Sequence, residues 1–357
     1  MTKVKIIGAG SIGNHLTQAC RRMGWSVCVV DADPKALLRM KNEIYPARYG
    51  AWDSSIKQYT PDTAPRGGFD IIMVGTPPHV RMKVALVALA EKPKILQLEK
   101  PLCAPFDKNL RKFVVAYKKQ KATKVIVGYD HSVAKSMHRV AELIASGITR
   151  EVKTIDVEFR EHWDGIFKAH PWLKGPQDTY LGYWRKGGGA SGENSHALHL
   201  WQYLARIAGL GRWKKVSAVL KVEKKGEIEY DSLAAFSFET DSGKVGRVVQ
   251  DVVTKPTRKW ARLQGVSGFI EWLCNGVPNG DVVRYARADG QVKEEVFEKK
   301  RSDDFYQETL HIQDILNGKI SVKDSPLSFE SALSVMSVLE TVWKDRKKGL
   351  VSIRQIK

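Results

Sequence analysis

The sequence predicts two domains: an α/β domain built on a parallel sheet, then an α+β domain with a large, mostly antiparallel, open sheet. Short apolar runs alternate with helical patterns as far as about residue 128, which is typical of a doubly wound parallel sheet. After about residue 150, apolar and polar residues alternate in longer runs, as in antiparallel strands. The 357 residues are enough for two domains. We therefore expect domains at 1–128 and 129–357, with the last helix as a candidate to pack back on the first.

The elements of the first domain follow one another as strand, helix, strand. Apolar runs predict strands at 4–7, 27–30, 69–74, 94–98 and 124–128. Helical spacing of apolar side chains predicts helices at 15–23, from 34, at 79–91 and at 107–120, and a further helix at 133–146, past the expected domain boundary.

The second domain consists mainly of predicted strands. Alternating patterns place them at 152–160, 216–223, 228–239, 244–253, 262–265 and 269–274. A helix is expected to start near Ser191, and two more, at about 303–316 and 327–347, follow the strands.

The loop after the first strand has the sequence Gly8-Ala9-Gly10-Ser11-Ile12-Gly13. Gly8 permits a tight turn, Gly10 leaves room for a pyrophosphate to approach the backbone, and Gly13 lets the helix pack closely on the strand. Near Ser11 and Ile12 the helix offers free N–H groups and a positive dipole end. A strand before the turn and a helix after it complete the pattern, which predicts a Rossmann domain that binds a dinucleotide through these residues.

Asp31, at the end of the second strand, bears on the choice of dinucleotide. Its carboxylate can accept hydrogen bonds from both adenosine ribose hydroxyls, whereas a 2′-phosphate would meet a like charge. The first arginine after it is Arg39, so the sequence favours NAD over NADP. Asp33, just before Pro34, is expected to cap the next helix.

Three motifs in this order resemble the Gfo/Idh/MocA family of NAD(P)-dependent oxidoreductases. The first is the glycine turn; the second is Gly75-Thr76-Pro77-Pro78 followed by Glu99-Lys100-Pro101; the third is Gly187-Gly188-Gly189-Ala190, leading to His196. The resemblance spans nearly the whole chain. It implies cofactor contacts from Thr76, Pro77, Glu99 and Lys100.

Lys100 is the first candidate catalytic residue. It follows a predicted parallel strand, and open α/β sheets place their ligands at the carboxyl ends of such strands. An ammonium group there can stabilise developing alkoxide charge, and in the family the matching lysine contacts substrate and nicotinamide. Glu99 is expected to orient the loop and Pro101 to fix its direction, through either a cis or a trans bond.

His196 is the second candidate, because imidazole can move a proton near neutral pH. It lies on the helix expected to begin with Ser191 as N-cap. The family's usual Asp four residues earlier is replaced by Gly192, and Glu193 is expected to take its place on the same helical face. His199 is a candidate substrate contact or packed residue. A metal site from Glu193, His196 and His199 is not expected, since no further ligands are evident.

Substrate contacts are expected from two further stretches. Residues 160–186 interleave aromatic rings with cations, which suits a polyhydroxylated ligand, including an anionic one; each tryptophan could equally pack the core. The residues after the last Rossmann strand offer polar groups, or a helix cap. With His199 from the helix described above, the candidates are Asp130, His131, Arg160, Trp163, Trp172, Tyr183, Trp184, Arg185 and His199.

Bulk properties predict a cytoplasmic enzyme with a small-molecule substrate. The net charge of +19 comes from basic residues spread through the chain without a nucleic-acid motif. No signal peptide or membrane-spanning run is evident, and four scattered cysteines indicate reduced thiols. Residues 232–238 leave both faces of a strand fairly apolar, so we expect a homodimer or homotetramer formed through the sheet.

The leading hypothesis is an NAD-dependent dehydrogenase acting on a secondary alcohol of a sugar, sugar acid or nucleotide-linked sugar. In it Lys100 polarises the oxygen and His196, with Glu193, handles the proton. Two alternatives stay open: an epimerase or hydrolase that retains NAD through an internal redox cycle, and a sensor that binds NAD without turnover.

Overall fold

The computed structural model describes residues 1–120, 122–168, 170, 172–287, 290–346, 351–353 and 355. The chain folds into two compact units that do not follow the order of the sequence. Unit 1 consists of Met1–Cys103, Asp107–Asp130 and Arg301–Phe329, and unit 2 of Ala104–Phe106, His131–Lys300 and Glu330–Lys357.

Six parallel strands form the sheet of unit 1, in the order β3-β2-β1-β4-β5-β6. The strands are β1 (Lys3–Ile7), β2 (Ser26–Val30), β3 (Lys57–Tyr59), β4 (Ile71–Val74), β5 (Ile95–Glu99) and β6 (Lys124–Gly128). Every residue of β4 and β5 is buried, as expected for strands covered on both faces. Among these six strands, β3, a short and partly exposed edge strand, was not predicted.

Helices connect these strands. They are α1 (Ser11–Arg22), α2 (Pro34–Arg39), α3 (Tyr45–Tyr49), α4 (Pro78–Ala90) and α5 (Lys108–Lys119). The predicted cap at Asp33 is confirmed, because its carboxylate accepts the N–H of Lys35 at 2.9 Å. Asp107 caps α5 in the same way through the N–H of Asn109.

Residues 131–300 supply most of unit 2. The helices are α6 (Lys135–Ala145), α7 (Asp164–Lys168), α8 (Gly189–Glu193) and α9 (His196–Ile207). The strands are β7 (Val152–Arg160), β8 (Trp213–Lys225), β9 (Ile228–Thr240), β10 (Val245–Asp251), β11 (Arg258–Gly265), β12 (Gly268–Val277), β13 (Gly280–Arg287) and β14 (Lys293–Glu298). All six predicted strands are confirmed, whereas β13 and β14 were not predicted.

The C-terminal part adds α10 (Arg301–Leu316), α11 (Phe329–Asp345) and β15 (Val351–Ser352). The predicted last helix extended to Lys347, which lies outside the described residues. The second sheet has nine strands in the order β14-β13-β12-β11-β7-β10-β9-β8-β15, and β7 and β10 form its parallel pair. The predicted fold class, a Rossmann-type sheet plus a large, mostly antiparallel sheet, is confirmed.

Helix α9 packs on one face of the second sheet. Trp201 is fully buried there against Trp213 and Phe238, and its indole N–H donates to the carbonyl of Ile155 at 2.8 Å. A β-carbon at Gly246 would overlap this indole, so the glycine permits the close contact. Phe236 and Phe238 of β9 therefore belong to the core.

The opposite face of the same sheet is more polar than expected. On β9, Leu233 and Ala235 are partly exposed and Ser237 is exposed. Cross-strand ion pairs continue from Ser237 along this face: Arg247 with Asp156, Arg262 with Glu271, and Arg284 with Glu294. The expectation that both faces are apolar is wrong for this row, because each arginine meets a carboxylate on the next strand.

Within the described part of the chain, no helix combines the length and the apolar character needed to cross a bilayer. All four cysteines are free thiols. Cys274 is partly exposed, whereas Cys20, Cys28 and Cys103 are buried.

Candidate active site

The glycine turn of unit 1 gives its three glycines different surroundings. Gly8 has φ of +114°, which side chains disfavour. A β-carbon on Gly13 would overlap the carbonyl oxygen of Gly8, whereas one on Gly10 would meet no atom within 4 Å. The tight turn, the open approach and the close helix contact therefore fall on the glycines to which the sequence analysis assigned them.

A cation that the sequence analysis missed lies at the start of α1. The guanidinium of Arg48 donates to the hydroxyl of Ser11 at 2.9 Å and contacts Nε2 of His15 at 3.3 Å. Burial lowers the pKa of Arg48, and repulsion from Arg301 lowers it further, against the opposing influence of Tyr49. Positive charge beside a helix N-terminus is unfavourable unless an anion is bound there. No sequence pattern in residues 45–49 indicated that Arg48 would lie beside the start of α1.

Asp31 lies at the end of β2, beside the glycine turn. One carboxylate oxygen accepts the N–H of Ala9 at 2.7 Å, and the other accepts the N–H of Asp33 at 2.9 Å. A carboxylate has about four lone-pair positions, so each oxygen keeps capacity for a further donor. The side chain is thus held in place and still able to accept hydroxyl donors.

Thr76 and Lys100 lie on neighbouring loops at the carboxyl ends of strands β4 and β5. Val74 of β4 pairs with Leu98 of β5, so both strands end together and their loops leave side by side. The Lys100–Pro101 bond is cis. The hydroxyl of Thr76 is buried and, among the described residues, makes no hydrogen bond. Pro77 precedes the first turn of α4.

Glu99 points into unit 1 and is only 4% exposed. A β-carbon on Gly128 would lie 2.7 Å from a Glu99 carboxyl oxygen and 3.0 Å from one of Glu308. Glu308, on α10, accepts a hydrogen bond from the Gln97 amide at 2.8 Å. Burial raises the pKa of both carboxyl groups. Glu99 thus belongs to a buried acidic pair beneath the loop, consistent with its expected role in orienting that loop.

Asp130, at the end of unit 1, is buried and accepts a hydrogen bond from Arg301 of α10 at 3.1 Å. This contact uses one of the two carboxylate oxygens of Asp130.

In unit 2, His196 is the first residue of α9 and lies among aromatic rings. Its ring centroid is 4.8 Å from that of His131 and 6.1 Å from that of Phe159. His131 also contacts Trp272 at 5.8 Å. The structure therefore brings together two predicted site residues, His131 and His196. Phe159 and Trp272 were not predicted as their neighbours, because they come from strands β7 and β12.

The predicted helix from Ser191 through His196 is wrong. The chain forms α8 and then α9, so Glu193 and His196 do not share one helical face. The junction is held by Asn194, whose amide donates to the carbonyl of Asp251 at 3.0 Å and whose carbonyl accepts from Gln250. Glu193 instead accepts a hydrogen bond from the Tyr180 hydroxyl at 3.2 Å.

Ser191 is not an N-cap but an inner residue of α8. Its N–H and hydroxyl both donate to the buried carboxyl of Asp231, at 2.7 and 3.2 Å. A β-carbon on Gly192 would overlap the carbonyl oxygen of Gly187. This close approach explains why the position holds glycine where the resemblance implied an aspartate.

His199 is almost fully buried, and its Nδ1 is 3.0 Å from the hydroxyl of Ser132. Of the aromatic candidates, Trp163 is buried in a cluster with Leu181, Ala190 and Val252. Trp184 is buried and stacks on Trp343, with centroids 4.2 Å apart. Both tryptophans therefore pack the core of unit 2.

The other candidates of this stretch are more exposed. Trp172 is 37% exposed, Tyr183 is partly exposed with the ammonium of Lys186 over its ring, and Arg185 is exposed with its guanidinium over Trp184. Arg160 donates to Asp251 at 2.6 Å. Because alternate strand residues face opposite sides, Arg160 lies on the sheet face opposite Phe159, and hence away from His196.

Comparison with solved structures places the whole chain in a known fold. Levoglucosan dehydrogenase in complex with NADH and levoglucosan is 16% identical, with 99% of this chain and 100% of that chain covered and a TM-score of 0.78. An NAD-binding oxidoreductase from Klebsiella pneumoniae is 17% identical, with 99% of each chain covered and a TM-score of 0.76. The chain has the fold of these oxidoreductases.

A third structure extends the comparison. An oxidoreductase from Agrobacterium radiobacter, solved with NAD⁺, L-tartaric acid and magnesium, is 17% identical, with 98% of each chain covered and a TM-score of 0.73. Neither a protein-family model nor a curated protein matches the sequence.

Proposed function

We propose that the protein is an NAD-dependent oxidoreductase acting on a secondary alcohol of a sugar, sugar acid or nucleotide-linked sugar. The observation that supports this proposal best is the glycine turn of unit 1. There Gly10 faces open space at the start of α1, where a dinucleotide pyrophosphate can approach the backbone. Residues 1–128 are assigned to cofactor binding and residues 129–357 to substrate binding.

Three groups of unit 1 fit the cofactor chemically. The first turn of α1, at Ser11 and Ile12, offers N–H donors to a pyrophosphate, and Arg48 adds a cation beside them. Asp31 would accept the ribose hydroxyls and disfavour a 2′-phosphate, so NAD is expected to bind more tightly than NADP. Thr76, Pro77 and Lys100 are assigned to the nicotinamide half.

Lys100 and His196 are assigned the chemical roles. Bound NAD supplies the hydride acceptor for alcohol oxidation. Lys100 would donate to the substrate oxygen and stabilise developing negative charge, while His196 would take the hydroxyl proton. Glu193 is assigned an auxiliary role in proton handling through its bond with Tyr180.

A polyhydroxylated substrate is supported by two observations. Polar and aromatic groups, including His131 and His196, lie together in unit 2, a combination that suits sugar rings. Similar folds were solved with levoglucosan and with L-tartaric acid. Trp172, Tyr183, Arg185 and His199 remain proposed substrate contacts.

The test combines binding and turnover. The full-length protein is titrated with NADH and NADPH by fluorescence, then incubated with NAD⁺ and a panel of sugars, anhydrosugars, uronates and hydroxy acids while NADH absorbance is followed. Tighter NADH binding together with NADH formation from one panel class supports the proposal. Conversion of a sugar without net NADH indicates an internal redox cycle. NADH binding without conversion of any compound in the panel contradicts enzymatic activity of the protein on these substrate classes.

We also propose that the chain forms a homodimer or homotetramer through the face of the nine-stranded sheet opposite α9. Val219 on β8 is 70% exposed and pairs with the partly exposed Ala235, next to the row of ion pairs. Apolar residues beside paired charges suit a self-complementary interface. Light scattering should show more than the 40.1 kDa of one chain. Val219→Asp should shift the mass downward, whereas Val87→Asp, equally exposed on α4, should not.

A further inference from the structure

Arg81 is a buried cation whose position the proposed mechanism does not explain. It lies in the first turns of α4 and is 3% exposed. Burying a guanidinium costs several kcal/mol unless its donors and its charge are satisfied. Its hydrogen bonds therefore indicate what the side chain does.

The guanidinium of Arg81 binds main-chain carbonyls on two loops. Nε donates to the carbonyl of Thr76 at 3.0 Å, and Nη1 donates to the carbonyl of Glu99 at 2.6 Å and also to that of Pro101. Glu99 and Pro101 are the residues immediately before and after Lys100. One side chain thus connects the loop after β4 to both sides of Lys100.

The sheet itself does not provide this connection. The ladder between β4 and β5 ends with Val74 opposite Leu98, so the two loops continue beyond its last paired residues. The fork of five donors in arginine can bind several acceptors at once, whereas the ammonium of lysine is a single point. The Glu99 carboxyl lies near enough to feel this cation, because Arg81 lowers the pKa of Glu99 against the larger effect of burial, which raises it.

We propose that Arg81 is a positioning residue that fixes the backbone on both sides of Lys100 and at Thr76. The proposal rests on the proposed function only in that these loops are assigned to the nicotinamide half of the cofactor. It requires no contact between Arg81 and any ligand. Loss of the guanidinium fork is expected to loosen the two loops and leave the glycine turn intact.

The first test needs no ligand. Amide hydrogen exchange is measured on the full chain for wild type, Arg81→Lys, Arg81→Gln and the control Lys83→Gln, which removes an exposed charge from the same helix. Both Arg81 variants should exchange about tenfold faster in peptides covering 75–77 and 99–104, with 3–13 unchanged. Arg81→Lys keeps the charge, so it is the milder variant if Arg81→Gln does not fold. Equal acceleration throughout unit 1, or none, would overturn the proposal.

The second test uses two probes, NADH and ADP-ribose, which lacks the nicotinamide. Arg81→Lys should bind NADH about tenfold more weakly and ADP-ribose within twofold of wild type. Equal weakening of both probes would indicate a general loss of structure and contradict the positioning role. If wild type binds neither probe, the proposed function is wrong, and the exchange experiment still decides the role of Arg81.

Discussion

The chain contains the spacing Gly-x-Gly-x-x-Gly twice, once in each unit, and the two copies are alike at the first and third glycines. Gly8, Gly10 and Gly13 form the first copy, and Gly187, Gly189 and Gly192 form the second. In both, a β-carbon on the third glycine would overlap the carbonyl oxygen of the first. In both, the first glycine has positive φ, +114° for Gly8 and +89° for Gly187.

The difference lies at the second glycine. Space beside Gly10 is open, whereas a β-carbon on Gly189 would overlap a carboxyl oxygen of Asp231. Asp231 accepts the N–H of Ser191, so an acidic group of the protein itself occupies the start of α8. The N–H of Ser191 in the second turn thus meets an acidic side chain of the protein, whereas the space beside Gly10 is open. The spacing alone therefore predicts the turn and not a free binding site.

The largest effects are expected on kcat, from substitution of Lys100 in unit 1 and of His196 in unit 2. Lys100→Ala and His196→Ala should each lower kcat by about 10²–10⁴-fold, the usual contribution of a general acid or base. NADH affinity should stay near that of wild type, because both roles concern the substrate oxygen and proton. Steady-state kinetics on the substrate found by the panel provide the measurement. A variant that keeps more than about a tenth of wild-type kcat would remove that residue from the mechanism.

The third glycines should behave alike in the two units. Gly13→Ala and Gly192→Ala each force a β-carbon onto a carbonyl oxygen, and we expect a loss of about 2–4 kcal/mol in unfolding free energy. Denaturant unfolding followed by circular dichroism gives the comparison, with Gly10→Ala, which adds a methyl group without overlap at negative φ, as the control. If Gly192→Ala is neutral, the two turns do not share one backbone requirement.

Sequence patterns predicted those structural features that depend on residues close together in the chain. Most strands and helices of residues 1–128, the cap at Asp33 and the tasks of three glycines follow from local backbone geometry, whereas the short β3 and α3 were not predicted. The break between α8 and α9 was not predictable, because Gln250 and Asp251 on β10 hold it. Likewise, no residue of β14 is buried, and two are partly exposed, so its alternating pattern is weak.

The surroundings of the candidate site residues depend on distant parts of the chain. Gln97 and Glu308 are 211 residues apart and hydrogen-bonded, and α10 joins unit 1 through such contacts, including the stacking of Phe305 on His15 at 4.5 Å. Phe159 and Trp272 come to His131 through the order of strands in the second sheet. No local pattern encodes these pairings, which tertiary packing decides.

The second glycines should give opposite outcomes. Gly10→Ala places a methyl group in open space with φ of −74°, so the fold should remain stable while NADH and ADP-ribose both bind about tenfold more weakly. Gly189→Ala meets Asp231 at φ of +79° and should lower the melting temperature without a specific effect on either probe. Equal NADH affinity in wild type and Gly10→Ala would contradict pyrophosphate binding at this turn.

Asp31→Ala should narrow the preference for NADH over NADPH by about tenfold, or roughly 1.4 kcal/mol. The variant loses the acceptor for ribose hydroxyls and the charge that opposes a 2′-phosphate. Fluorescence titration of both cofactors measures it, and Asp33→Ala, which removes only the helix cap, is the matched control. Tighter NADPH than NADH binding in wild type would refute the proposed preference.

A pH-dependent effect is expected from Asp231, the acidic group that fills the second turn. Burial raises the pKa of Asp231 to about 7, against the lowering by its hydrogen bonds from Ser191. A carboxyl group whose pKa is raised by folding stabilises the fold below its unfolded value of about 3.9, and this contribution is lost as the pH rises to about 7. Burial also raises the pKa of Glu99 and Glu308 in unit 1, so wild type alone does not isolate Asp231.

The difference in unfolding free energy between wild type and Asp231→Asn isolates the contribution of Asp231, because Glu99 and Glu308 contribute equally to both proteins. The isosteric amide cannot ionise, and like the neutral acid it offers Ser191 one oxygen acceptor and one donor, so the two proteins should be about equally stable at pH 5. Between pH 5 and pH 8 wild type should lose about 2–3 kcal/mol of unfolding free energy relative to the variant, because only wild type loses the contribution of the neutral acid. Denaturant unfolding at several pH values checks it. Wild type that gains stability relative to the variant as the pH rises would mean that the ionised carboxylate is the stabilising form, held by the start of α8 as an anion would be held at α1.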